Sequence, residues 1–536
     1  MQIRANPLPW MRHRLPSAGL AWLLTLAPLL GLVAACQPRR DPGRLIVASR
    51  NRIDSVDPAG ASTIGAMQLL SAIGDPLYAV RSDGSIEPRL AVALPRTSAD
   101  GLRVVVPLRR GVRFHDGTPF TAAAVVFSFE RFLAIGTLSY LLGDRVLAVR
   151  ALDPYTVELQ LRKPFAAMTQ LLSAVNLTPL SPTAYRQHSR RQLSNRFVGT
   201  GPYRLTFYTP QQQRLEPFKG YWGRPPANRG LELVSLSNST ALFGALQSGE
   251  VDALLSSSLE IDHQVELQRQ VRRGRLRQAT GPALVIVFLS LLSDQPPLDN
   301  PLLRRALALS LDRERLIARV SQGLYAPLRS LVPPVVPGGT PQPWPSYNPA
   351  AARRLYRQAG YCAGRRLPLE LTFRSNVPSD RLFALTWQAL LQRDLADCVE
   401  LRLQGMETTT AYRLLGEGAF PLIVLDWMGD FPDADNYLVP LLGCQQAQGD
   451  RCRKGGSASS GSFWTRPGLE AELQRSATLG GRERLALLRR IQRQTAAASP
   501  YLPLWLVQPR IWVRPELAEP RFDGSGRVLL QELSRR

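Results

Sequence analysis

A chain of 536 residues exceeds an ordinary domain of roughly 100 to 200 residues, and a hydrophobic content of 45% excludes a disordered chain. The 66 basic against 42 acidic residues give a formal charge of +24. All but Lys163, Lys219 and Lys454 of those bases are arginine and they are scattered along the chain, which argues against nucleic acid and for a compositional bias or attraction to an anionic surface.

The N-terminus reads as a targeting segment. Arg4, Arg12 and Arg14 precede an apolar run from Leu20 to Val33, short for a spanning helix of about 20 residues, and Val33-Ala34-Ala35-Cys36 offers a small-residue cleavage site. The pattern resembles a bacterial lipobox, which implies removal of 1–35, lipidation of Cys36 and a linker over 36–44. An uncleaved anchor or an ordinary signal peptide stays open. No later stretch of similar length is apolar throughout, so the mature chain is expected to be soluble except for its anchor, and the lipobox resemblance implies that it lies outside the cytoplasm, on the periplasmic side of a bacterial envelope. Disulfides persist there, and Cys362 with Cys398 and Cys444 with Cys452 are the expected pairs, with buried free thiols as the alternative.

After the linker comes a strand from Leu45 to Ala48. Leu102 to Leu108 reads as a Val-rich strand, Arg110-Gly111 as a turn, and Val112 to Phe114 as a second strand ending in His115-Asp116-Gly117. Thr121 is a candidate N-cap for a helix with Val125, Val126, Phe129 and Phe132 at helical spacing. Strands follow around Val146 to Val149 and over Thr156 to Leu161, then helical material from Phe165 to Leu172. A strand at Leu231 to Leu236 precedes a helix stopped by Gly249. A second region opens with a strand from Leu284 to Leu291, and then a helix with Asn300 as N-cap and Pro301 first. Strand Leu369 to Phe373, helix Asp380 to Asp394, and strands Val399 to Leu403 and Leu422 to Asp426 alternate, which predicts an α/β architecture. Ser457 to Ser462 reads as a flexible Gly/Ser loop.

The segment GVRFHDGTPFTAAAVVFSFER, from Gly111 to Arg131, resembles the signature of bacterial extracellular solute-binding proteins of family 5, the peptide- and nickel-type receptors of ABC importers. One departure is Ala124, where the family usually carries Asp. Further matches occur in order: NRIDSVDPAGA, GDPLYAV with EPRLA, VGTGPYRL, LQSGEVDALL, PPLDNPLLRRALALSLDRERLI, YNPAAARRLYRQAGY and PYLPLWLV, spanning about Leu45 to Val507. The resemblance implies an α/β fold, a two-lobed periplasmic-binding-protein clamshell of the large three-domain type. Its discontinuous first domain would comprise 45–73, 200–281 and 508–536, the last with the tail. The inserted second domain would take 74–199, and the C-terminal lobe 282–507.

The same resemblance implies a ligand site between the lobes. In DWMGDFPDADNYLVPLL, similar to a stretch of dipeptide and oligopeptide receptors, Asp430 matches the acid that bonds the ligand ammonium; Asp433 and Asp435 read as turn and cap residues. Arg374, with Arg381 as the alternative, matches the arginine for a ligand carboxylate. Trp427, Trp464, Phe431 and Tyr140 are candidate wall residues. Thr408 to Thr410 stand where a dipeptide receptor has a stacking tryptophan, a departure that bears on specificity. The implied protein is a monomeric lipoprotein that passes a short peptide to an ABC permease with separate ATPases, with no cofactor.

Alternatives are a nickel or metal-chelate receptor, another small-solute receptor, a sensing or chaperone-like binder, and a periplasmic hydrolase. His13, His115, His188 and His263 form no cluster with metal-ligand spacing, and no nucleophile elbow, zincin or P-loop motif occurs.

Overall fold

Strand Leu45–Ser49 directs alternate side chains to opposite faces, Val47 into one core and Ala48 into another, and so occupies the middle of a seven-stranded sheet. The structure, a computed structural model, describes residues 43–53, 55–188, 193, 195–256, 259–340 and 342–536; the leader and Cys36 lie outside the described residues. Leu45–Arg536 forms one unit.

Leu45–Ser49 pairs in parallel with Leu231–Ser235 and Ala253–Leu255. Beyond Leu231–Ser235 lie Gln212–Pro217 and then Tyr203–Tyr208; beyond Ala253–Leu255 lie Arg510–Val513 and then Arg277–Thr280. The last strand of the chain thus returns to the sheet begun by the first. A four-stranded antiparallel sheet, Arg96–Thr97, Arg103–Pro107, Thr156–Leu161 and Val146–Asp153, shares a core with it through Val104, Val106, Phe114, Phe129 and Leu159. Together they make the N-terminal lobe.

The second lobe is built on a six-stranded mixed sheet in the order Ala326–Pro327, Tyr501–Val507, Val285–Leu291, Leu422–Met428, Leu367–Arg374 and Val399–Met406. Its last three strands run parallel, and a separate core of Ile286, Leu371, Trp387, Val424 and Trp505 lies against it. Helices begin where the sequence supplies a cap. Asn300 accepts from the Leu302 amide at 2.9 Å and Asn348 from Ala351 at 2.9 Å, each followed by proline at the first helical position.

Three expectations are corrected. Val112 to Phe114 forms no strand: its bonds close on its own loop, Phe114 N–H to Thr118 and Phe120 N–H to Val112. Between Phe165 and Leu172 only Met168–Leu171 is helical. Ser457 to Ser462 is no loose loop, since Ser457 and Ser462 are fully buried and Gly456–Ser459 makes a helical turn. A Cβ on Gly456 would meet the Val439 carbonyl at 2.3 Å, so glycine here permits close packing rather than motion.

Candidate ligand-binding site

The sequence motifs of the N-terminal lobe meet one another in space. Arg131, the last residue of the signature, donates to both carboxylate oxygens of Asp57 at 2.7 and 2.5 Å, and both side chains are almost fully buried. His115 lies against the Gly-Thr-Gly-Pro crossing: its Nε2 is 3.0 Å from the Gly201 carbonyl, and its Nδ1 accepts from the Gly199 amide at 3.4 Å. Both contacts suit a neutral ring with its proton on Nε2, and burial holds its pKa below the usual value. Asp75 gathers Arg89, Thr200 and Trp222 at 2.9 to 3.0 Å. Ala124 is buried on the first turn of the helix Ala122–Ile135.

The rim between the lobes differs. Asp430 lies just past the end of Leu422–Met428, half-buried, and accepts a hydrogen bond from the Tyr140 hydroxyl of the other lobe at 3.2 Å. Burial raises its pKa above the ordinary carboxylate range, and among the described residues no arginine or lysine forms a salt bridge with it. Phe431 is buried and inserts into the core of the N-terminal lobe, edge-on to Phe165 at 6.3 Å, while Arg145 covers both rings and reaches Asp435 at 3.3 Å. Phe431 is therefore a cross-lobe plug rather than a wall. Asp433 forms a buried pair with Arg484 at 2.6 Å.

Arg374 ends its strand, and with Tyr412 and Asp426 it sits at or beyond the carboxyl ends of the three parallel strands, where open α/β sheets place ligands. Its guanidinium is buried and already bonded to Asp380 at 2.7 Å, to Tyr412 at 3.0 Å and to Asp426. Burial opposes its charge, but the Asp380 hydrogen bond and the field of Asp426 hold its pKa above the ordinary value. Arg374 thus presents no free fork to a carboxylate. Arg381 is exposed on the next helix, and Thr409 and Thr410 give their amides to Glu407 at a helix start. Trp427 donates its indole N–H to the Asn436 carbonyl at 2.8 Å, and Trp464 belongs to the core.

A cavity of about 860 Å³ opens between the lobes, within the size range of small-ligand pockets. Its walls include Asp75 and Arg89, the hairpin residues Ala79 to Gly84, Ala279 to Pro282, Val335, Val336, Pro432 and the C-terminal residues Pro520 to Ser525. None of Asp430, Arg374, Trp427, Phe431 or Tyr140 lines it. The C-terminal stretch reaches this wall because Gly524 donates its amide to Val80 at 3.0 Å, and a Cβ there would meet the Arg81 carbonyl at 1.9 Å. The sequence motifs stop short of that stretch and give no sign of it.

The cysteine sulfurs stand at bonding distance, Cys362 to Cys398 at 2.15 Å and Cys444 to Cys452 at 2.18 Å, the second pair tying the hairpin Gln446–Gln448 and Arg451–Lys454. Among the described residues, the one cluster with metal-ligand spacing is Cys362, Asp397 and Cys398, whose sulfurs are in that disulfide. No helix of the described residues is long and apolar enough to cross a membrane.

Comparison with known proteins identifies the fold and the family. The glutathione-binding protein GsiB of Salmonella choleraesuis is 26% identical over 434 residues, 79% of this chain and 82% of that protein. The fold is similar to that of NikA from Brucella suis in complex with Fe(III)-EDTA (TM-score 0.80, 21% identity, 92% of this chain and all of that one). It is also similar to a dipeptide-binding protein from Pseudoalteromonas sp. in complex with Met-Leu (TM-score 0.75, 20% identity, the same coverage). These are two-lobed binding proteins rather than enzymes. The family model of bacterial extracellular solute-binding proteins, family 5, matches residues 85–449, and the chain belongs to that family.

Proposed function

We propose that this solute-binding protein captures a short peptide between its lobes and delivers it to an ABC permease whose ATPases are separate chains. The observation that carries the reading is Asp430: a half-buried carboxylate that forms no salt bridge among the described residues and accepts a hydrogen bond from Tyr140 of the opposite lobe. A peptide ammonium would supply the missing cation, and a charge-assisted bond there would fix which end of the peptide enters first. Because Asp430 and Tyr140 belong to different lobes, a ligand touching both favours the closed arrangement over the open one. GsiB and the Pseudoalteromonas protein, named for glutathione and for dipeptides, are in keeping with a peptide-like ligand.

In the same reading the mature chain is a monomer anchored through lipid on Cys36, with Cys362–Cys398 and Cys444–Cys452 as disulfides. Its first domain is assembled from 45–73, 200–281 and 508–536 around an inserted 74–199, with 282–507 as the opposite lobe. Mass spectrometry of material released from natively purified protein tests the ligand. Short peptides are expected; a metal chelate or another solute class would contradict the reading.

A further inference from the structure

Asp430 and Pro432 both belong to the space between the lobes, the first bonded to Tyr140 and the second in the wall of the cavity of about 860 Å³. Phe431 between them does something else. Only 3% exposed, it packs into the core of the N-terminal lobe, although it follows the strand Leu422–Met428 of the C-terminal one. Its partner there is Phe165, edge-on with ring centres 6.3 Å apart. Arg145 closes this socket: its guanidinium carbon lies 4.5 Å from the Phe165 ring centre and 6.0 Å from that of Phe431. Nη1 of Arg145 donates to the Leu141 carbonyl of its own lobe at 3.4 Å, and Nη2 reaches across to Asp435 at 3.3 Å. Beside the socket, Ala166 donates its amide to the Ala477 carbonyl of the C-terminal lobe at 2.6 Å, and Ala477 packs against the N-terminal core.

All of these contacts run from chain to chain, and none passes through a ligand. Parting the lobes would draw Phe431 out of an apolar core into water and take Arg145 away from Asp435, and both changes are unfavourable. Asp435 has no other salt bridge among the described residues, because its neighbours Asp433 and Arg484 are paired with each other at 2.6 Å. Burial works against the charge of Asp435 and Arg145 works for it.

We propose that Phe431, Arg145 and Asp435 form a latch that holds the lobes together in the free protein and so sets the affinity for every ligand without selecting among them. A ligand that binds only the closed arrangement has an apparent Kd equal to its intrinsic Kd divided by the closed fraction. The latch raises that fraction by one factor whatever the ligand, so affinities move together and their ratios stay fixed. Asp430 acts in the opposite sense, choosing among ligands by their chemistry. Two residues adjacent in sequence thus divide affinity from selectivity.

The latch acts on any ligand and stands apart from the peptide reading, and the test keeps the two separate. Small-angle X-ray scattering is recorded from ligand-free wild type, Phe431→Ser, Arg145→Met and the double variant Arg145→Met with Asp435→Asn. Each is then titrated calorimetrically with Ala-Ala-Ala and N-acetyl-Ala-Ala-Ala. Phe431→Ser and Arg145→Met are expected to have a larger radius of gyration than wild type. The double variant is expected to recover much of the compactness lost in Arg145→Met, since it leaves no unpaired charge in the closed arrangement. Phe431→Ser should weaken both peptides by the same factor, about tenfold or more. Identical scattering from wild type and Phe431→Ser, or losses for the two peptides that differ by more than about threefold, would overturn the latch. Opening by Phe431→Ser without opening by Arg145→Met would overturn the part given to the ion pair. Should neither peptide bind wild type, the peptide reading falls and scattering alone decides the latch. Should Phe431→Ser not fold, Arg145→Met and its double variant carry the same comparison, and unchanged scattering from Arg145→Met would then overturn the proposal.

Discussion

The motif-rich N-terminal lobe and the rim between the lobes use charge in opposite ways. At Asp57–Arg131 and at Asp75 each carboxylate is buried and has its cation, and the partners come from different motifs. At the rim Asp430 forms no salt bridge among the described residues, and it connects to the opposite lobe through Tyr140. Saturated charges hold a fold together, and a half-buried carboxylate left without a cation at the rim is a place where a ligand cation can offset the cost of burial.

The largest expected effect therefore falls on the saturated side. Arg131→Met leaves Asp57 buried without its cation and should cost about 3–5 kcal/mol of stability, read as a fall in Tm or in the denaturant midpoint. Affinity of the protein that remains folded should be unchanged. A loss of affinity with unaltered stability would reverse the contrast.

Removing a cross-link ranks next. By loop-closure entropy, Cys362→Ala with Cys398→Ala should cost about 4 kcal/mol and the shorter Cys444–Cys452 loop about 2–3 kcal/mol, measured by thermal melts of each double variant. A non-reducing peptide map without these two cross-links would remove the basis of that ranking.

On the unsaturated side, Asp430→Asn should leave stability within about 1 kcal/mol of wild type while weakening a peptide with a free N-terminus by about 2–3 kcal/mol, or some 30- to 160-fold. Acidification should mimic it. Since burial raises the Asp430 pKa, ammonium binding by wild type should fade at a pH above the ordinary carboxylate value of about 3.9, and the Asn variant should lose that step.

The smallest effect expected is on His115. Its folded pKa lies below the unfolded value of about 6.5, so the unfolded chain binds the extra proton first as pH falls. Stability contributed by the neutral ring is present above that value and is lost as pH drops through the folded pKa. A plot of Tm against pH should be flatter below 6.5 in His115→Gln than in wild type.

The same contrast explains what is legible in the amino-acid sequence. Helix starts at Asn300 and Asn348 are readable because a cap is a local device, and the alternation that places Val47 and Ala48 on opposite faces needs only neighbours. The motifs mark the family for a related reason: one motif fixes another, Asp57 by Arg131, Asp75 by Thr200 and His115 by the Gly199 to Gly201 crossing. The occupied state of Arg374 is not readable, because Asp426 lies 52 residues away and reaches it only through a parallel crossover. Phe431 reads as a pocket wall because an aromatic beside a binding acid looks the same in sequence whether it faces ligand or the other lobe.

Calorimetric titration of Ala-Ala-Ala and N-acetyl-Ala-Ala-Ala into wild type and Asp430→Asn tests the central claim most directly. The account predicts that the free tripeptide loses its advantage over the acetylated one when Asp430 is replaced. Equal losses for both peptides, or an advantage that survives the substitution, would contradict it.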